Sequence, residues 1–372
     1  MILKVKEFQT ACKTILDAVD TTTNSIVNET LELKVVDSVL SLNVTNKEYF
    51  TSVKMPVSSE ENMIATVDAK VFLSLISKIT TDELEITKKD NVLVIKGNGV
   101  YKLPMIYSDG SLLELTPIVI NNVTSDFVVN SDILHSILAY NSKELSKGVI
   151  SRPIQKMYYV DEDGAITFTS GACVNSFKLV QPIKILLSGK IVKLFKLFPK
   201  NTDVRMILGY DDVGGITQTK VSFVSGAIEI TAILNSDEDM LLSVPVSAIR
   251  GRANGTYKYS VDINRDQLIQ AIDRLLVFSS QSVGATRSYA RFKFGVETLT
   301  IKAKDSENEE FIDYLDCSTE VEEYETMLDL NDLKITLESC VESDLTLWFG
   351  DKQAIVIARG NIRNVIPEVH LV

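Results

Sequence analysis

The sequence predicts an α+β chain of three tandem domains of one kind, each with two helices packed on antiparallel sheets. Three observations predict it. A unit of short strand, capping residue, amphipathic helix and alternating strands recurs six times along the 372 residues, and such internal repetition marks a repeat-built architecture. The six helices begin near Lys6, Asp68, Ser131, Ser188, Arg265 and Asn331, at gaps of 62, 63, 57, 77 and 66 residues. The segments between them alternate apolar and polar residues, as strands with one buried face do. A helix pair covering one face of antiparallel sheet is a layered α+β arrangement.

Each element has a local reason. Met1-Ile-Leu-Lys-Val-Lys6 alternates and reads as a strand, not as the continuous apolar core of a signal peptide. In the first helix Phe8, Ala11, Cys12, Ile15 and Val19 share one face, opposite Lys6, Thr10, Lys13 and Asp17. Leu31 to Val35 and Val39 to Val44 alternate as strands. Asp68 is an N-cap type for the second helix, where Val71, Phe72, Leu75, Ile76 and Ile79 oppose Lys70, Ser74 and Lys78. Val92 to Lys96 is a strand that turns at Asn98-Gly99, and Asp163-Gly164 marks a second hairpin. The fourth helix follows Ser188 and places Ile191, Leu194, Phe195 and Phe198 opposite Lys190, Lys193, Lys196 and Lys200. Asn264 with Gln267 resembles a capping box before the fifth helix. Arg291 to Phe294 and Leu299 to Ala303 are strands again.

Two polar breaks divide the chain. Asn121-Asn-Val-Thr-Ser125 is one; Asn235 to Asp239 and Arg250-Gly-Arg-Ala-Asn-Gly255 read as loop and linker at the other. Cuts there give domains at 1–122, 123–248 and 249–372, a usual domain size.

The charge balance narrows the partners. The net charge is −12, which argues against a whole surface that grips nucleic acid, while leaving room for a local basic lining. The fourth helix has a polar face of lysines with no acid among them, and the basic bias recurs on the first and second helices. On the fifth, Arg265 and Arg274 stand beside Asp266 and Asp273; on the sixth, Lys334 stands among acids. Two readings follow: solvated surface helices, or a phosphate track of point charges on flexible stems that is indifferent to base sequence. No helix-turn-helix, zinc finger or basic zipper is present to read bases.

Catalytic chemistry has little to stand on. No glycine-rich phosphate loop, Gly-x-Ser-x-Gly or His-Glu-x-x-His motif occurs. Of the two histidines, His135 reads as a helix-face residue and His370 as a tail residue. Asp161-Glu-Asp-Gly164 lacks the later ligands of a calcium loop and reads as a turn. Trp348 reads as core. Cys12, Cys173, Cys317 and Cys340 form no Cys-x-x-Cys pair, which fits free thiols in a reducing cytoplasm. No run of ~18 apolar residues occurs to span a membrane. The expectation is therefore no enzyme, no metal and no cofactor.

The third domain carries a resemblance. Asp266-Gln-Leu-Ile-Gln-Ala-Ile-Asp-Arg274 leads to Val277-Phe-Ser279, then to Arg291-Phe-Lys-Phe294, Leu299 to Ala303, and the acidic Glu307-Asn-Glu-Glu310. With the threefold repeat, this succession resembles the bacterial sliding clamp, the β subunit of DNA polymerase III. The resemblance implies a homodimeric head-to-tail ring around duplex DNA, with helices lining the hole. It implies DNA-facing roles for Lys6, Lys13, Lys70, Lys78, Arg152, Lys190, Lys193, Lys196, Lys200 and Arg274. Val277 and Phe278 are then candidates for the subunit seam, with intrachain core as the alternative. A peptide pocket for the polymerase catalytic subunit, the clamp loader and repair proteins is implied at Thr169, Gly171, Val174, Leu241, Val244, Ile366 and Pro367. Thr169-Ser-Gly-Ala-Cys-Val174 lacks the family's acid and basic pair, and Glu368 departs from its C-terminal pattern. The implied location is the cytoplasm, at the nucleoid, with no membrane partner. The competing readings are a β-rich structural or interaction protein without DNA binding, and an enzyme.

Overall fold

The computed structural model describes residues 1–22, 25–59, 61–142, 152–234, 238–279, 288–304, 309–317, 319–321, 323–350 and 354–369. The chain forms two compact bodies: residues 1–135 with 190–235, and residues 136–189 with 236–372.

Both bodies follow one recipe: an eight-stranded and a four-stranded antiparallel sheet. In the first, the large sheet runs in the order Asn122–Asn130, Asp203–Val213, Ile216–Ser225, Ile228–Ile233, Tyr49–Pro56, Val39–Thr45, Thr30–Val36, Met63–Asp68. Its small sheet is Ile2–Lys4, Glu83–Lys89, Val92–Lys96, Val100–Pro104. In the second, the large sheet is Lys184–Ser188, Met157–Asp161, Gly164–Phe168, Ala172–Ser176, Ile362–Pro367, Ala354–Arg359, Asp344–Phe349, Tyr259–Asn264. Its small sheet is Glu310–Asp316, Thr298–Lys304, Tyr289–Phe294, Tyr324–Asp329. Each large sheet joins strands remote in sequence: Ile230 pairs with Thr51 in the first body, and Ala172 with Val365 in the second. The segment ahead of the strand Asn122–Asn130 is pinned by a buried pair, Lys220 and Asp211. The Lys220 ammonium also donates to the Val119 carbonyl at 2.9 Å, and Asp211 accepts from the Asn121 N–H at 2.9 Å.

The helices pack as their apolar faces dictate. Val5–Leu16 buries Phe8, Ala11, Cys12 and Ile15, and Ala69–Ile76 buries Phe72 and Ile76. Phe8 meets Phe72 edge-to-face at 6.1 Å. The Gln9 side-chain amide donates to the Ile76 and Ile79 carbonyls at 2.9 and 2.8 Å, which satisfies the open end of the second helix. Asp68 caps that helix by accepting from the Val71 N–H. Asn264 caps Arg265–Ser279 through the N–H groups of Asp266 and Gln267. Asp329 caps Leu330–Ser339. Gly164 is required by a close approach: a Cβ there would sit 2.2 Å from the Asn175 carbonyl oxygen, in a hairpin and not a calcium loop.

Several expectations are corrected. Val71 is exposed and Leu73 is buried in its place. Val19 and Lys78 lie beyond their helix ends. The fourth helix is only Gly189–Lys193 followed by a 3-10 turn Leu194–Leu197. Pro199 disfavours helical backbone at Phe198, which is extended. The third, Ser131–Ser136, widens into a π turn over Ile137–Asn141, where the buried Asn141 amide donates to Thr167 and Cys173. Arg250 to Ala253 is no linker; it lies in the helix Val246–Ala253, preceded by a short helix Glu238–Leu242. Val246, Ile249 and Ala253 pack on a buried cluster there, which outweighs the Gly251 penalty.

Phe195 is fully buried and meets Phe223 edge-to-face at 5.1 Å. Phe195→Ala is expected to cost about 3–5 kcal/mol, read as a lower denaturant midpoint with an unchanged m-value.

Candidate nucleic-acid interface and peptide groove

In the first body the helix layer carries its lysines outward. Lys6, Lys13, Lys70, Lys78, Lys193, Lys196 and Lys200 are exposed, and Lys190 is half-buried. Lys6, Lys70 and Lys190 each occupy the second position of their helices. The helix N-terminus is already the positive end of the macrodipole, so a cation there opposes helix stability. For Lys190 the compensating anion lies within the chain, in Asp20 and Glu48; Lys6 and Lys70 have no such acid among the described residues.

The lysines fall into two groups. Lys190 lies 3.0 Å from Asp20 and 3.6 Å from Glu48, and Lys196 lies 2.9 Å from Asp17. The face expected to be purely positive is thus partly neutralised by acids on the loop after the first helix and on a strand turn. That neutralisation could not be read from the fourth helix alone. Among the described residues, no acid lies within 4 Å of Lys6, Lys13, Lys70, Lys78, Lys193 or Lys200.

Asp20 sits in a built cage. It accepts from the Thr22 N–H and hydroxyl, from the Asn46 amide and from Lys190. Burial pushes its pKa up, but these hydrogen bonds outweigh burial and hold the carboxyl well below the usual carboxylate range. The hydrogen bond from Lys190 to Asp20 pushes the ammonium pKa up in turn.

In the second body Arg152 is exposed at the start of the 3-10 turn Pro153–Lys156. Arg274 is committed inside the chain, bidentate to Asp313 at 2.6 and 3.0 Å. His135 is a helix-face residue bonded to the Phe198 carbonyl at 2.9 Å. Trp348 is half-buried, with the Arg363 guanidinium 4.8 Å above its ring.

The second body also holds an apolar groove of about 270 Å³. The turn Thr169-Ser-Gly171 forms one wall, closed by the Thr169 N–H to Gly171 carbonyl bond at 2.9 Å. Gln155 steadies that turn by donating to the Thr169 carbonyl, while its own carbonyl accepts from the Arg152 N–H. Pro245, Ala248, Ile249 and Arg252 form the opposite wall, and Ala354, Val365 and Pro367 complete the lining. Arg250 ties that helix to the sheet, bidentate to Asp161 at 2.8 and 2.5 Å.

Thr169, Gly171 and Pro367 therefore line the groove; the other expected pocket residues do not. Val174 is in the core, two residues beyond the groove-lining Ala172 on the same strand face and so about 7 Å further along it, where the cluster closes over it. Leu241 and Val244 pack on that cluster. Ile366 is buried, touching a small second cleft beside Asp332, Ile335 and Thr336. Glu368 turns away and accepts from the Tyr324 hydroxyl at 2.8 Å. His370 and Leu371 lie outside the described residues, as do Glu307 and Asn308 at the start of the acidic run. The wall Pro245–Arg252 was missed because Gly251 and Asn254 suggested a loop. The spacing of Val246, Ile249 and Ala253 after Pro245 was the available helix signal.

Val277 and Phe278, at the end of Arg265–Ser279, are exposed. Phe278 stacks on Phe311 at 4.0 Å. Phe311 belongs to Glu310–Asp316, an edge strand that also exposes Ile312 and Tyr314. The intrachain-core alternative for Val277 is excluded by its exposure.

No family model matches the sequence, and no curated protein matches it. Solved structures do. The chain is similar to the DNA polymerase III subunit β of Pseudomonas aeruginosa, at TM-score 0.80 and 14% identity over 100% of both chains. A DNA polymerase sliding clamp from Bacillus subtilis gives TM-score 0.77 at 15% identity, and a β subunit from Thermotoga maritima 0.76 at 13%; each covers 100% of this chain and 99% of that one. This chain has the sliding-clamp fold. The α+β clamp architecture of three repeated domains expected from the sequence holds at that level.

Within this clamp fold the Asp20 cage makes a pH-dependent contribution. A carboxyl held below its unfolded value of ~3.9 adds stability that is complete above that pH and lost as pH falls through the folded value. Asp20→Asn is expected to lose about 1–3 kcal/mol at neutral pH and to show a flatter decline of stability on acidification, measured by denaturant titration across acid pH.

Proposed function

We propose that the chain is a DNA sliding clamp: a non-catalytic ring that encircles duplex DNA without reading its sequence and tethers other proteins to it. The observation that carries this reading is the full-length likeness to clamps joined to an outward lysine face on the helix layer. Topological enclosure needs no tight grip, which suits an acidic protein with a local cationic lining. The three copies fall near 1–122, 123–248 and 249–372 in this reading, with the second boundary displaced from 248/249 because the helix Val246–Ala253 runs across it. The ring closes head-to-tail with a second copy through Val277, Phe278 and the edge strand Glu310–Asp316. Its complement is an edge strand of the first body's small sheet, Val100–Pro104, where Val100 and Lys102 are exposed. An acidic edge facing a Lys-bearing one favours mixed over like pairing. Lys6, Lys13, Lys70, Lys78, Lys193, Lys200 and Arg152 face the duplex. The groove takes a short apolar peptide from the polymerase catalytic subunit, the clamp loader or repair proteins. The working place is the cytoplasmic nucleoid, and no membrane partner, metal or cofactor is invoked.

Loaded protein is expected to stay on circular duplex through a high-salt wash and to leave once the circle is cut. Salt-labile retention indifferent to DNA topology would overturn the reading and favour the β-rich interaction protein. Ala248 is exposed on the groove wall, so Ala248→Arg is expected to weaken capture of polymerase-derived peptides by roughly tenfold or more, measured by fluorescence anisotropy. The circular dichroism spectrum should not change.

A further inference from the structure

Two of the four lysines from Lys190 to Lys200 already hold carboxylates of the same body, and the two pairs are built differently. Lys196 and Asp17 form an open pair, with both side chains about half exposed at 46% and 50%. Asp17 is the C-cap residue of Val5–Leu16, at the negative end of that helix, where an acid is unfavourable. Its charge there serves the lysine and not the helix. Lys190, by contrast, is held by the caged Asp20, whose side chain is 5% exposed, with Glu48 behind it. The turn carrying Glu48 is itself fixed, since the Asn46 side-chain oxygen Oδ1 accepts from the N–H groups of Glu48 and Tyr49, and the Tyr49 hydroxyl donates to the Ala18 backbone carbonyl.

We infer that Asp17 and Asp20 are resident substitutes for DNA phosphate on this helix layer. Asp20 keeps Lys190 out of nucleic-acid contact, and Asp17 holds Lys196 in a pair that phosphate has to displace. The inference rests on the clamp reading and adds to it a device that sets the grip. An exposed ion pair is weak and screened by salt, so a duplex competes for Lys196. A buried carboxylate fixed by three further hydrogen bonds, with Glu48 also 3.6 Å from the ammonium, does not release Lys190 for the same gain. The duplex then meets Lys193 and Lys200 fully, Lys196 against competition, and Lys190 not at all.

The test is the affinity of the full-length protein for a labelled linear duplex, followed across salt concentration. Asp17→Asn is expected to raise affinity roughly tenfold at ~50 mM salt and to steepen the log–log salt slope by about 0.9, the signature of one further phosphate contact. Lys190→Gln is expected to leave both unchanged. A Lys193→Gln, Lys200→Gln double variant is expected to flatten the slope by about 1.8. If Asp17→Asn changes nothing while the double variant flattens the slope, the substitute role is overturned and the clamp reading stands. Loss of affinity in Lys190→Gln equal to that of a single Lys193→Gln variant overturns the assignment of Asp20. No effect in the double variant removes the electrostatic basis of the clamp reading, and this inference with it. A gain of affinity in Asp17→Asn cannot come from unfolding, which keeps the outcome readable.

Discussion

Pairing between strands remote in sequence is the constraint on which the molecule depends. The strand Ile228–Ile233 hydrogen-bonds to Tyr49–Pro56, and Ala172–Ser176 to Ile362–Pro367. Each pairing converts two shorter ladders into one eight-stranded sheet and removes two open edges, which would otherwise leave backbone groups unpaired. The groove follows directly. Thr169-Ser-Gly171 lies beside Pro367 because Ala172 registers with Val365. A slip of one residue would turn Val365 away from the groove face.

The electrostatics follow a second constraint. On the proposed clamp reading, a chain of net charge −12 cannot hold a polyanion over its whole surface and would need a local cationic layer. The helices gather them, and even place lysines at helix starts where they weaken the helix. Acids then return to that layer: Asp17, Asp20 and Glu48 neutralise part of what the lysines provide. The result is a graded cationic face and not a uniform one.

Much of the architecture was legible because burial leaves a period in the sequence. Alternation gave the strands, and the spacing of Phe8, Ala11, Cys12 and Ile15 gave the first helix. Asp68 and Asn264 announced helix starts through side chains that accept from open N–H groups. Legibility failed where a local signal was overruled by distant packing. Gly251 and Asn254 read as a linker, yet Val246, Ile249 and Ala253 find a buried cluster and hold the helix that walls the groove. Pro199 shortened the fourth helix without removing its apolar anchors Ile191, Leu194 and Phe195.

By itself the sequence determined the repeat, most of the strands, the starts of the six repeated helices and the clustering of lysines on them, because these depend on neighbours within a turn or a strand. Tertiary structure alone decided which lysines are paired with an acid of the same chain. Asp17 and Asp20 stand 179 and 170 residues from Lys196 and Lys190, and only folding brings each within about 3 Å. It also decided that Thr169, Gly171 and Pro367 share a groove while Val174 and Ile366 sink into the core. Ile366 alternates with Val365 and Pro367 onto the opposite sheet face, whereas Val174 shares the groove-side face of Ala172 and Val365 and is covered there by packing that the strand's periodicity does not set.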